Sequence, residues 1–385
     1  MSYSIPFNRP CLTGKEYKYI AEAIANGHAS GDGPFTKKCH NFLETELGTM
    51  KALLTTSCTH ALEMAALLLD CGPEDEVIVP SYTFVSTANA FALRGARIVF
   101  CDVRPDTLNL DEEHFESLIT GRTKAVIPVH YAGVPCAMNR IIEIARRNGV
   151  YVVEDNAHGL FATFRNQYTG TFGCLATQSF HETKNITCGE GGALLVNDPK
   201  LVERAIIIRD KGTDRSQFLR GMVDKYTWTD IGSSYLPSDL LAAFLYAQLE
   251  AREAIQQKRK RIWNIYWELL ADWAEDVGAR LPVIPPECEQ AYHMFYVILP
   301  SSDFRDGVIT HLKANGILSV FHYVPLHLST AGRKFAARPS HCPVTEDLSS
   351  RLLRLPFYND ITVDEQERVV SSLSSYRHFQ AMKAV

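Results

Sequence analysis

The segment SFHETKNITCGEGG, residues 179–192, places Lys184 between a predicted strand and a turn of small residues. A lysine amine held beside an electrophile can form a Schiff base, provided that its surroundings permit the neutral form. Ser179 lies at the end of the same predicted strand and offers a hydroxyl close by. A solvated loop lysine is the ordinary alternative, so other residues must decide between a surface charge and a nucleophile.

Two further polar clusters stand at the ends of predicted elements. EDNAH, 154–158, ends the predicted strand VYVVED, where a carboxylate can keep a heteroaromatic nitrogen protonated because a nearby negative charge favours the cation. TTSCTH, 55–60, precedes a predicted helix, so the hydroxyls of Ser57 and Thr59 and the following N–H groups suit an anion. Simple capping of the next element is the alternative for both clusters.

Together the three clusters offer an anion cradle, an acid for a ring nitrogen and a lysine for a Schiff base. Pyridoxal phosphate (PLP) requires these three groups of its protein. Phe84, in PSYTFVSTANA, offers a ring to stack on such a cofactor, with a core phenylalanine as the alternative. The sequence has no glycine fingerprint for a dinucleotide or a P-loop. His322 and His327, in HYVPLH, are too isolated from other ligands to indicate zinc, so no metal site is predicted.

Short β-branched runs alternate with helical patterns between about residues 50 and 200. The predicted helices include 60–70 and 137–148, and the predicted strands are VIVP (77–80), RIVFCD (97–102), KAVIPVH (124–130), VYVVED (150–155), LATQSF (175–180) and GGALLVND (191–198). Several of these strands are apolar throughout, as in a mainly parallel sheet with helices on both faces. Ligands bind beyond the carboxyl ends of the strands in such sheets, where the three polar clusters fall.

The second part of the chain predicts a smaller domain. A long helical segment at 238–273 leads out of the α/β region, and VGARLPVIPPE is typical of a linker. After it, HMFYVIL, VITHLKANG and LSVFHYVPLH predict an α+β arrangement. The chain of 385 residues is therefore divided into a large α/β domain at 1–250 and a small α+β domain at 251–385.

Composition excludes several classes of partner. The net charge of −5 provides no basic surface for nucleic acid, and the longest uncharged run, 77–93, is interrupted by polar residues, so no membrane span is expected. The N-terminus lacks the basic start followed by an apolar core that a secretory signal has, so no such signal is expected. Ten cysteines are scattered without a CxxC pair, which is typical of reduced thiols in the cytoplasm.

Several segments in order also resemble a known family, and the similarity runs from about residue 5 to 375. They are TTSCTHALEMAALLL, PSYTFVSTANAFALRGARIVFCDV, VVEDNAHG, SFHETKNITCGEGGALLVND and HYVPLH. The family is that of the DegT/DnrJ/EryC1/StrS nucleotide-sugar aminotransferases. The resemblance implies PLP as the cofactor and the aspartate aminotransferase fold, known as PLP fold type I.

The resemblance also implies a role for each matching position. Lys184 binds the cofactor covalently and later shuttles a proton, while Asp155 faces the pyridine nitrogen. His158 lies near the ring hydroxyl and Phe84 stacks on the ring. The phosphate contacts are Ser57, the Cys58 backbone, Thr59 and Ser179, and the expected substrate contacts are His322 and Tyr323.

One segment, GSSYLPSD, departs from the family pattern. Many members have an asparagine from the partner subunit where Ser234 stands and an arginine where Leu236 stands. A serine can still make a shorter phosphate contact across the interface. The resemblance thus implies a homodimer with shared active sites, in which Ser234 contacts the partner's cofactor.

The implied reaction uses L-glutamate and a dTDP-keto sugar. DKYTWTDIGSSYLPSDL, 224–240, is similar to the subgroup that aminates the C4 ketone of dTDP-4-keto-6-deoxy-D-glucose. That reaction yields dTDP-4-amino-4,6-dideoxy-D-galactose and 2-oxoglutarate, for common-antigen or lipopolysaccharide synthesis. Amination at C3, or at C4 with the gluco configuration, remains an alternative. A dehydratase of this fold is a further alternative, but the dehydratases of this family carry histidine where Lys184 stands, so the lysine argues against it. A cofactor-binding regulator is the last alternative, and it would need a basic DNA-binding appendage, which the charge of the chain does not predict.

Overall fold

The computed structural model describes residues 3–383. Its strands are β1 Lys51–Thr55, β2 Glu76–Pro80, β3 Arg97–Cys101, β4 Thr123–Val126, β5 Tyr151–Asp155, β6 Thr163–Phe164, β7 Gln167–Tyr168, β8 Leu175–Ser179, β9 Gly192–Val196, β10 Cys288–Glu289, β11 Tyr296–Ile298 and β12 Leu352–Arg354. Seven of them form a central sheet in the order β1-β9-β8-β5-β4-β2-β3. In the central sheet β9 runs antiparallel to β1 and β8, and the other neighbours are parallel. The predicted α/β class with a mainly parallel sheet is confirmed.

Helices precede, connect and follow these strands. They are α1 Glu16–Ala25, α2 Pro34–Leu47, α3 Cys58–Leu68, α4 Val85–Ala92, α5 Glu112–Leu118, α6 Met138–Asn148, α7 Pro199–Arg209, α8 Arg215–Leu219, α9 Asp239–Glu250, α10 Arg252–Val277, α11 Ser302–Ala314, α12 Thr330–Phe335, α13 Pro343–Arg351 and α14 Val363–Lys383. Within residues 3–383, no helix combines the length and the apolar character that crossing a membrane requires.

Strand β2 shows why the sheet is buried on both faces. Every residue of EVIVP is buried. Because side chains alternate along a strand, Val77 and Val79 join a core cluster with α3, while Ile78 joins a second cluster with residues of α5 and α6. A strand covered by helices on both faces therefore has apolar side chains at successive positions.

A separate core lies in the C-terminal part. Residues of α10, α11 and α14 pack there with the two-stranded ribbon β11–β12, and Ile5 from the N-terminal segment joins them. The division of the chain near residue 250 stays a prediction.

Three local features differ from the sequence expectations. The predicted helix 238–273 is two helices, because Ala251 leaves the helical conformation and ends α9 before α10 begins. Strand β1 was not predicted, although it pairs with β9. The segment LSVFHYVPLH contributes a single bridge at Val320 and a 3-10 turn at Leu326–Leu328 rather than a strand.

Candidate active site

A cavity of about 850 Å³ opens beyond the carboxyl ends of the parallel strands. Strand β5 contributes Asp155 to its wall and β8 contributes Ser179. The segment 320–323, from the C-terminal part of the chain, lines the same cavity. The cavity brings together ten of the predicted site residues, namely Ser57, Cys58, Thr59, Phe84, Asp155, His158, Ser179, Lys184, His322 and Tyr323.

Lys184 lies in a short loop after β8, and its backbone N–H donates to the His181 carbonyl at 2.9 Å. Burial lowers the pKa of its amine to about 8, although the neighbouring groups of Cys58 and Asp155 oppose the shift. No carboxylate of the described residues forms an ion pair with it. A lysine with this pKa is partly neutral near physiological pH, as a nucleophilic amine must be.

Asp155 ends strand β5 with its carboxylate in the cavity wall. Its Oδ2 accepts the Thr87 hydroxyl at 2.7 Å, and its Oδ1 accepts the Ala157 N–H at 3.2 Å. Burial raises the pKa of this carboxyl, and these hydrogen bonds and the charge of Lys184 act in the opposite direction. A cationic ring nitrogen beside the carboxylate would offset the cost of its burial.

The start of helix α3 forms an anion cradle. Ser57 is the N-cap, and its hydroxyl accepts the His60 N–H at 3.1 Å. The Thr59 hydroxyl bonds to that of Ser86 at 2.8 Å. The N–H groups of Cys58 and Thr59 belong to the first turn, which has no acceptor within its own helix. Ser57 therefore caps the helix and lines the cavity at once, so the two interpretations of this cluster are compatible.

Strand β9 runs directly beside this helix start. A Cβ atom at Gly192 would collide with the Cys58 nitrogen and with the Ser57 backbone. Only glycine permits this approach, which keeps the first turn of α3 at the edge of the sheet and next to Ser179. The GEGG turn in the sequence thus shapes the cradle.

His158 belongs to a group of stacked rings that line the cavity. It stacks on His293 with ring centroids 4.3 Å apart, and its Nε2 lies 3.4 Å from the Tyr323 hydroxyl. Its Nδ1 is buried and has no hydrogen-bond partner among the described residues. Burial, aided by the charges of Lys184 and Arg354, holds the pKa of His158 well below its usual range. A neutral imidazole with one free nitrogen is available to a ligand.

The two predicted histidines of HYVPLH lie apart from each other. His322 lines the cavity, and its Nδ1 bonds to the Tyr131 hydroxyl at 2.8 Å. His327 is turned away and bonds to Ser81 at 2.6 Å and to Glu346 at 3.1 Å. In the described part of the chain, no three His, Cys, Asp or Glu side chains are arranged to hold a metal ion.

Two other predicted residues are exposed. Phe84 is 55% exposed and lines the cavity, so the alternative of a core phenylalanine is wrong. Ser234 is also exposed, and it does not line the cavity of its own chain. Its proposed contact with the cofactor of a partner subunit stays a prediction.

Sequence reasoning missed several cavity residues. Thr87, which bonds to Asp155, lies one helical turn after Phe84 in the quoted motif, so its helical spacing was a usable signal. Arg354, Asn8 and His293 also line the cavity. Asn8 comes from the N-terminal segment and the other two come from the C-terminal part, and no local pattern connects any of them with Lys184.

The arrangement fits PLP. The cradle at α3 suits the phosphate, Asp155 suits the pyridine nitrogen, and the unpaired His158 Nδ1 suits a ring substituent. The amine of Lys184, with its pKa near 8, suits an aldehyde carbon. No described residue fills the space between these groups.

Comparisons with known proteins agree with this assignment. Residues 10–374 match the model of the DegT/DnrJ/EryC1/StrS aminotransferase family. An uncharacterized protein of Methanocaldococcus jannaschii, MJ1066, is 33% identical over 379 residues, which cover 97% of each chain. The aminotransferase TlmJ from Streptoalloteichus hindustanus superposes with a TM-score of 0.89 and 31% identity, covering 98% of this chain and 100% of that one. Spr1654 from Streptococcus pneumoniae, in its PLP form, gives a TM-score of 0.89 and 25% identity over 97% and 98% of the chains.

Proposed function

Since the chain belongs to the DegT/DnrJ/EryC1/StrS aminotransferase family, we propose that it transfers an amino group from L-glutamate to a nucleotide-linked keto sugar. It is a PLP-dependent transaminase with PLP fold type I. The cofactor supplies an aldehyde that accepts the amino group and a ring that withdraws electrons from the reacting carbon. The observation that carries the proposal is that a half-buried lysine, whose amine has its pKa lowered to about 8, lines the same cavity as the buried carboxylate of Asp155.

Lys184 has two tasks in this proposal. Its Nζ holds the cofactor covalently before the donor arrives, and afterwards it carries the proton that leaves the donor's α-carbon. Burial keeps the pKa of this amine at about 8. General base catalysis is most efficient when the pKa of the base lies near the working pH. The same Nζ delivers a proton when the amino group passes to the sugar.

Asp155 acts through its charge and its position. Thr87 and the Ala157 N–H hold both carboxylate oxygens, so the side chain cannot turn away from the ring. A preorganised charge of this kind stabilises the charge that develops in the reaction without reorganising. The cradle of Ser57, Cys58, Thr59 and Ser179 would hold the phosphate, and the exposed Phe84 side chain would pack against the cofactor ring.

For the acceptor we propose dTDP-4-keto-6-deoxy-D-glucose, with dTDP-4-amino-4,6-dideoxy-D-galactose as the product, destined for common antigen or lipopolysaccharide. The support is the resemblance of the segment 224–240 to the enzymes of that reaction. His322 and Tyr323 on the small-domain wall are the proposed substrate contacts. Amination at C3, or at C4 with the gluco configuration, is the second candidate.

We also propose a homodimer with shared active sites. The segment before Ser234 exposes large apolar side chains, including Trp228, which is 80% exposed, and Leu219, Met222 and Tyr226. Exposed apolar surface of this kind marks an interaction site. A second subunit that covers it would bring its Ser234 to the cavity mouth and exclude water.

The ten cysteines, all within the described residues, are unpaired, which supports a reducing cytoplasmic location.

One experiment tests the proposed reaction. The purified protein is loaded with PLP and incubated with L-glutamate and dTDP-4-keto-6-deoxy-D-glucose, and the product is assigned by NMR. An axial amino group at C4 and stoichiometric 2-oxoglutarate are expected. An equatorial amine, or an amine at C3, would replace the proposed product by the second candidate.

A mixture of Lys184→Ala and Ser234→Trp chains tests the shared site, because mixed dimers regain one intact site only if Ser234 acts across the interface.

A further inference from the structure

His293 lines the cavity, and neither the sequence motifs nor the resemblance assigned it a role. It lies shortly before strand β11, and only 8% of it is exposed. Its Nδ1 lies 3.0 Å from the Oδ1 of Asn185, the residue that follows Lys184. Among the described residues, none forms a hydrogen bond with its Nε2. One nitrogen of the ring is thus held by the protein, and the other is left for a ligand.

The side-chain amide of Asn185 decides which nitrogen of His293 carries the proton. Its Nδ2 donates to the Ala291 carbonyl at 2.6 Å and to the Gln256 Oε1 at 3.2 Å. A backbone carbonyl only accepts, so the NH2 group must face Ala291 and the Oδ1 atom must face His293. The Nδ1 of His293 is therefore the protonated nitrogen. In a neutral imidazole the other nitrogen, Nε2, then carries a lone pair and accepts a hydrogen bond.

The surroundings of His293 keep its ring neutral. Burial holds the pKa of His293 well below its usual range, and the charges of Lys184 and Arg259 act in the same direction. Arg259 also donates to the His293 carbonyl at 2.5 Å, which keeps a permanent cation beside this residue. A proton on Nε2 would add a further positive charge to the group. The free nitrogen therefore remains an acceptor at neutral pH.

His327 shows what a purely structural histidine looks like in this molecule. It is as buried as His293, with 8% of each residue exposed. Its Nδ1 bonds to Ser81 and its Nε2 to Glu346, so both nitrogens have partners within the protein. His293 has a partner for one nitrogen only, although leaving a buried polar group unpaired is costly. A ligand in the cavity would supply the missing partner.

The free nitrogen lies in the part of the cavity where the reaction takes place. Asn185, which holds the ring, is the chain neighbour of Lys184. The His293 ring stacks on that of His158, with the ring centroids 4.3 Å apart, and the resemblance implies that His158 lies near the ring hydroxyl of the cofactor. A ligand group that bonds to the His293 Nε2 must therefore be attached close to the reacting carbon.

The proposed ligands differ in the hydrogen bonds that they can donate. The phosphate of PLP and the carboxylates of L-glutamate are ionised and only accept, and the amino group of L-glutamate reacts at the cofactor. The ring hydroxyl of PLP is matched by the unpaired Nδ1 of His158. The diphosphate separates the base of the nucleotide from the reacting carbon. The remaining donors are the sugar hydroxyls, and the one on the carbon beside the ketone is nearest to the reaction.

We propose that the Nε2 of His293 accepts a hydrogen bond from the sugar hydroxyl next to the reacting ketone, and that Asn185 is the positioning residue that fixes the tautomer. In dTDP-4-keto-6-deoxy-D-glucose this is the hydroxyl at C3. The identity of the hydroxyl rests on the proposed function, whereas the tautomer rests on the hydrogen bonds of Asn185 alone. His293 thus helps to select the sugar and has no contact to make in the first half of the reaction.

The tautomer is tested without any reaction. Nitrogen NMR of the apoprotein with isotope-labelled histidine should show a protonated Nδ1 and an unprotonated Nε2 for His293, and the signals are assigned by their loss in His293→Phe. In Asn185→Leu the amide oxygen that fixes the proton is gone, so the two tautomers should become mixed. A protonated Nε2 in the wild type would overturn the proposal, because the lone pair would then face Asn185.

The contact with the sugar is tested with two sugars and three proteins. dTDP-4-keto-6-deoxy-D-glucose and its 3-deoxy analogue differ in the proposed hydroxyl only, and each is offered to PLP-loaded enzyme that L-glutamate has already converted. The proteins are the wild type, His293→Phe, which keeps an aromatic ring against His158, and the control His311→Phe. The control removes an imidazole of α11 that bonds to Ser375 outside the cavity.

The wild type and the control should have a higher kcat/KM for the sugar that carries the C3 hydroxyl. His293→Phe should lose about 3- to 10-fold of that preference, the range for one hydrogen bond between neutral groups. The rate at which L-glutamate converts the cofactor should stay unchanged, since no hydroxyl takes part. His293→Gln should recover part of the preference, because its side-chain oxygen can accept the same hydrogen bond.

Two kinetic results would also overturn the proposal. His293→Phe that prefers the hydroxylated sugar as strongly as the wild type does would reduce His293 to a support for the His158 ring. An equal loss with both sugars and with L-glutamate would show a general disturbance of the site instead of one lost contact. If the wild type aminates another carbon, the proposed product is wrong, and the same comparison with the analogue that lacks the hydroxyl beside that carbon decides the role of His293.

Discussion

Strand β5 ends in two neighbouring carboxylates that lie on opposite sides of the central sheet. Glu154 and its partner His130 are fully buried behind the sheet, with the His130 Nε2 and Glu154 Oε2 atoms 3.0 Å apart. Asp155 lies on the front side and lines the cavity. Because side chains alternate along a strand, one backbone segment supplies both groups in different surroundings.

The hydrogen bonds of the two carboxylates differ in number and kind. Glu154 accepts backbone N–H groups from Gly170 at 2.7 Å, Phe172 at 2.7 Å and Gly173 at 2.8 Å, in addition to His130. Asp155 accepts one hydroxyl and one N–H. A carboxylate has about four acceptor positions, so Glu154 is saturated by the protein and Asp155 has capacity left for a ligand. Glu154, on the side of the sheet away from the cavity, therefore stabilises the fold, whereas Asp155, on the cavity side, is available for chemistry.

The largest expected effect of a front-side change is that of Lys184→Ala. The variant should lose turnover altogether, since both the covalent link and the proton carrier are removed. Borohydride should fix the cofactor to the wild-type chain and leave the variant unlabelled, as peptide mass spectrometry would report. The exposed Lys258, which pairs with Asp360 at 3.4 Å, provides the control Lys258→Ala. Labelling at another lysine would refute the assignment of the nucleophile.

Asp155→Asn should have the second-largest effect on turnover. The substitution keeps the shape and removes the charge that holds the ring nitrogen protonated, so kcat should fall by at least about 100-fold, as with other losses of preorganised charge. The unfolding temperature of the apoprotein should change little or rise, because burial already raises the pKa of this carboxyl and disfavours its charge. Near-normal kcat would show that Asp155 is structural like its neighbour.

The residues on the cavity side of the central sheet are easier to predict from the sequence than those on its other side. Polar clusters at the ends of apolar strands are local patterns, and the rule that ligands bind at the carboxyl edge joins them without knowledge of the fold. Arg354 and His293 escape prediction because tertiary packing alone brings them to Lys184. Strand β1 escapes because its partner β9 is remote in sequence. The helix break at Ala251 involves neither glycine nor proline, which are the usual signals.

The pH dependence of cofactor capture should show a moderate effect. Burial lowers the pKa of Lys184 to about 8, and the neutral amine is the reactive form. The rate at which the apoprotein captures PLP should therefore fall about tenfold per pH unit below pH 8 and level off above it. Stopped-flow absorbance between pH 6 and 10 measures this rate. A rate that keeps rising to about pH 10, the usual lysine value, would place the amine in solvent.

The same shift predicts the sign of a stability difference. Between pH 8 and about 10.4 the unfolded lysine binds a proton that the folded one has lost, so the free energy of unfolding rises with pH in this window. The cost of burying the charged amine is thus fully present below pH 8. Lys184→Met apoprotein, which has no amine to bury, should lack this rise when urea unfolding is compared at pH 7 and pH 10. An equal slope in both proteins would contradict the lowered pKa.

Glu154→Gln is the back-side counterpart and should have the smallest effect on the chemistry. The amide retains one oxygen, and its NH2 group must face backbone donors that pointed at a carboxylate. Leaving a buried donor without its acceptor costs about 1–3 kcal/mol, and more when a charged group is involved. We therefore expect a lower unfolding temperature of the apoprotein, measured calorimetrically beside Asp155→Asn. The kcat of the folded enzyme should fall much less than in Asp155→Asn, since Glu154 does not line the cavity. A variant of normal stability with a 100-fold loss of kcat would reverse the roles of the two sides of β5, because the chemistry would then depend on the saturated carboxylate.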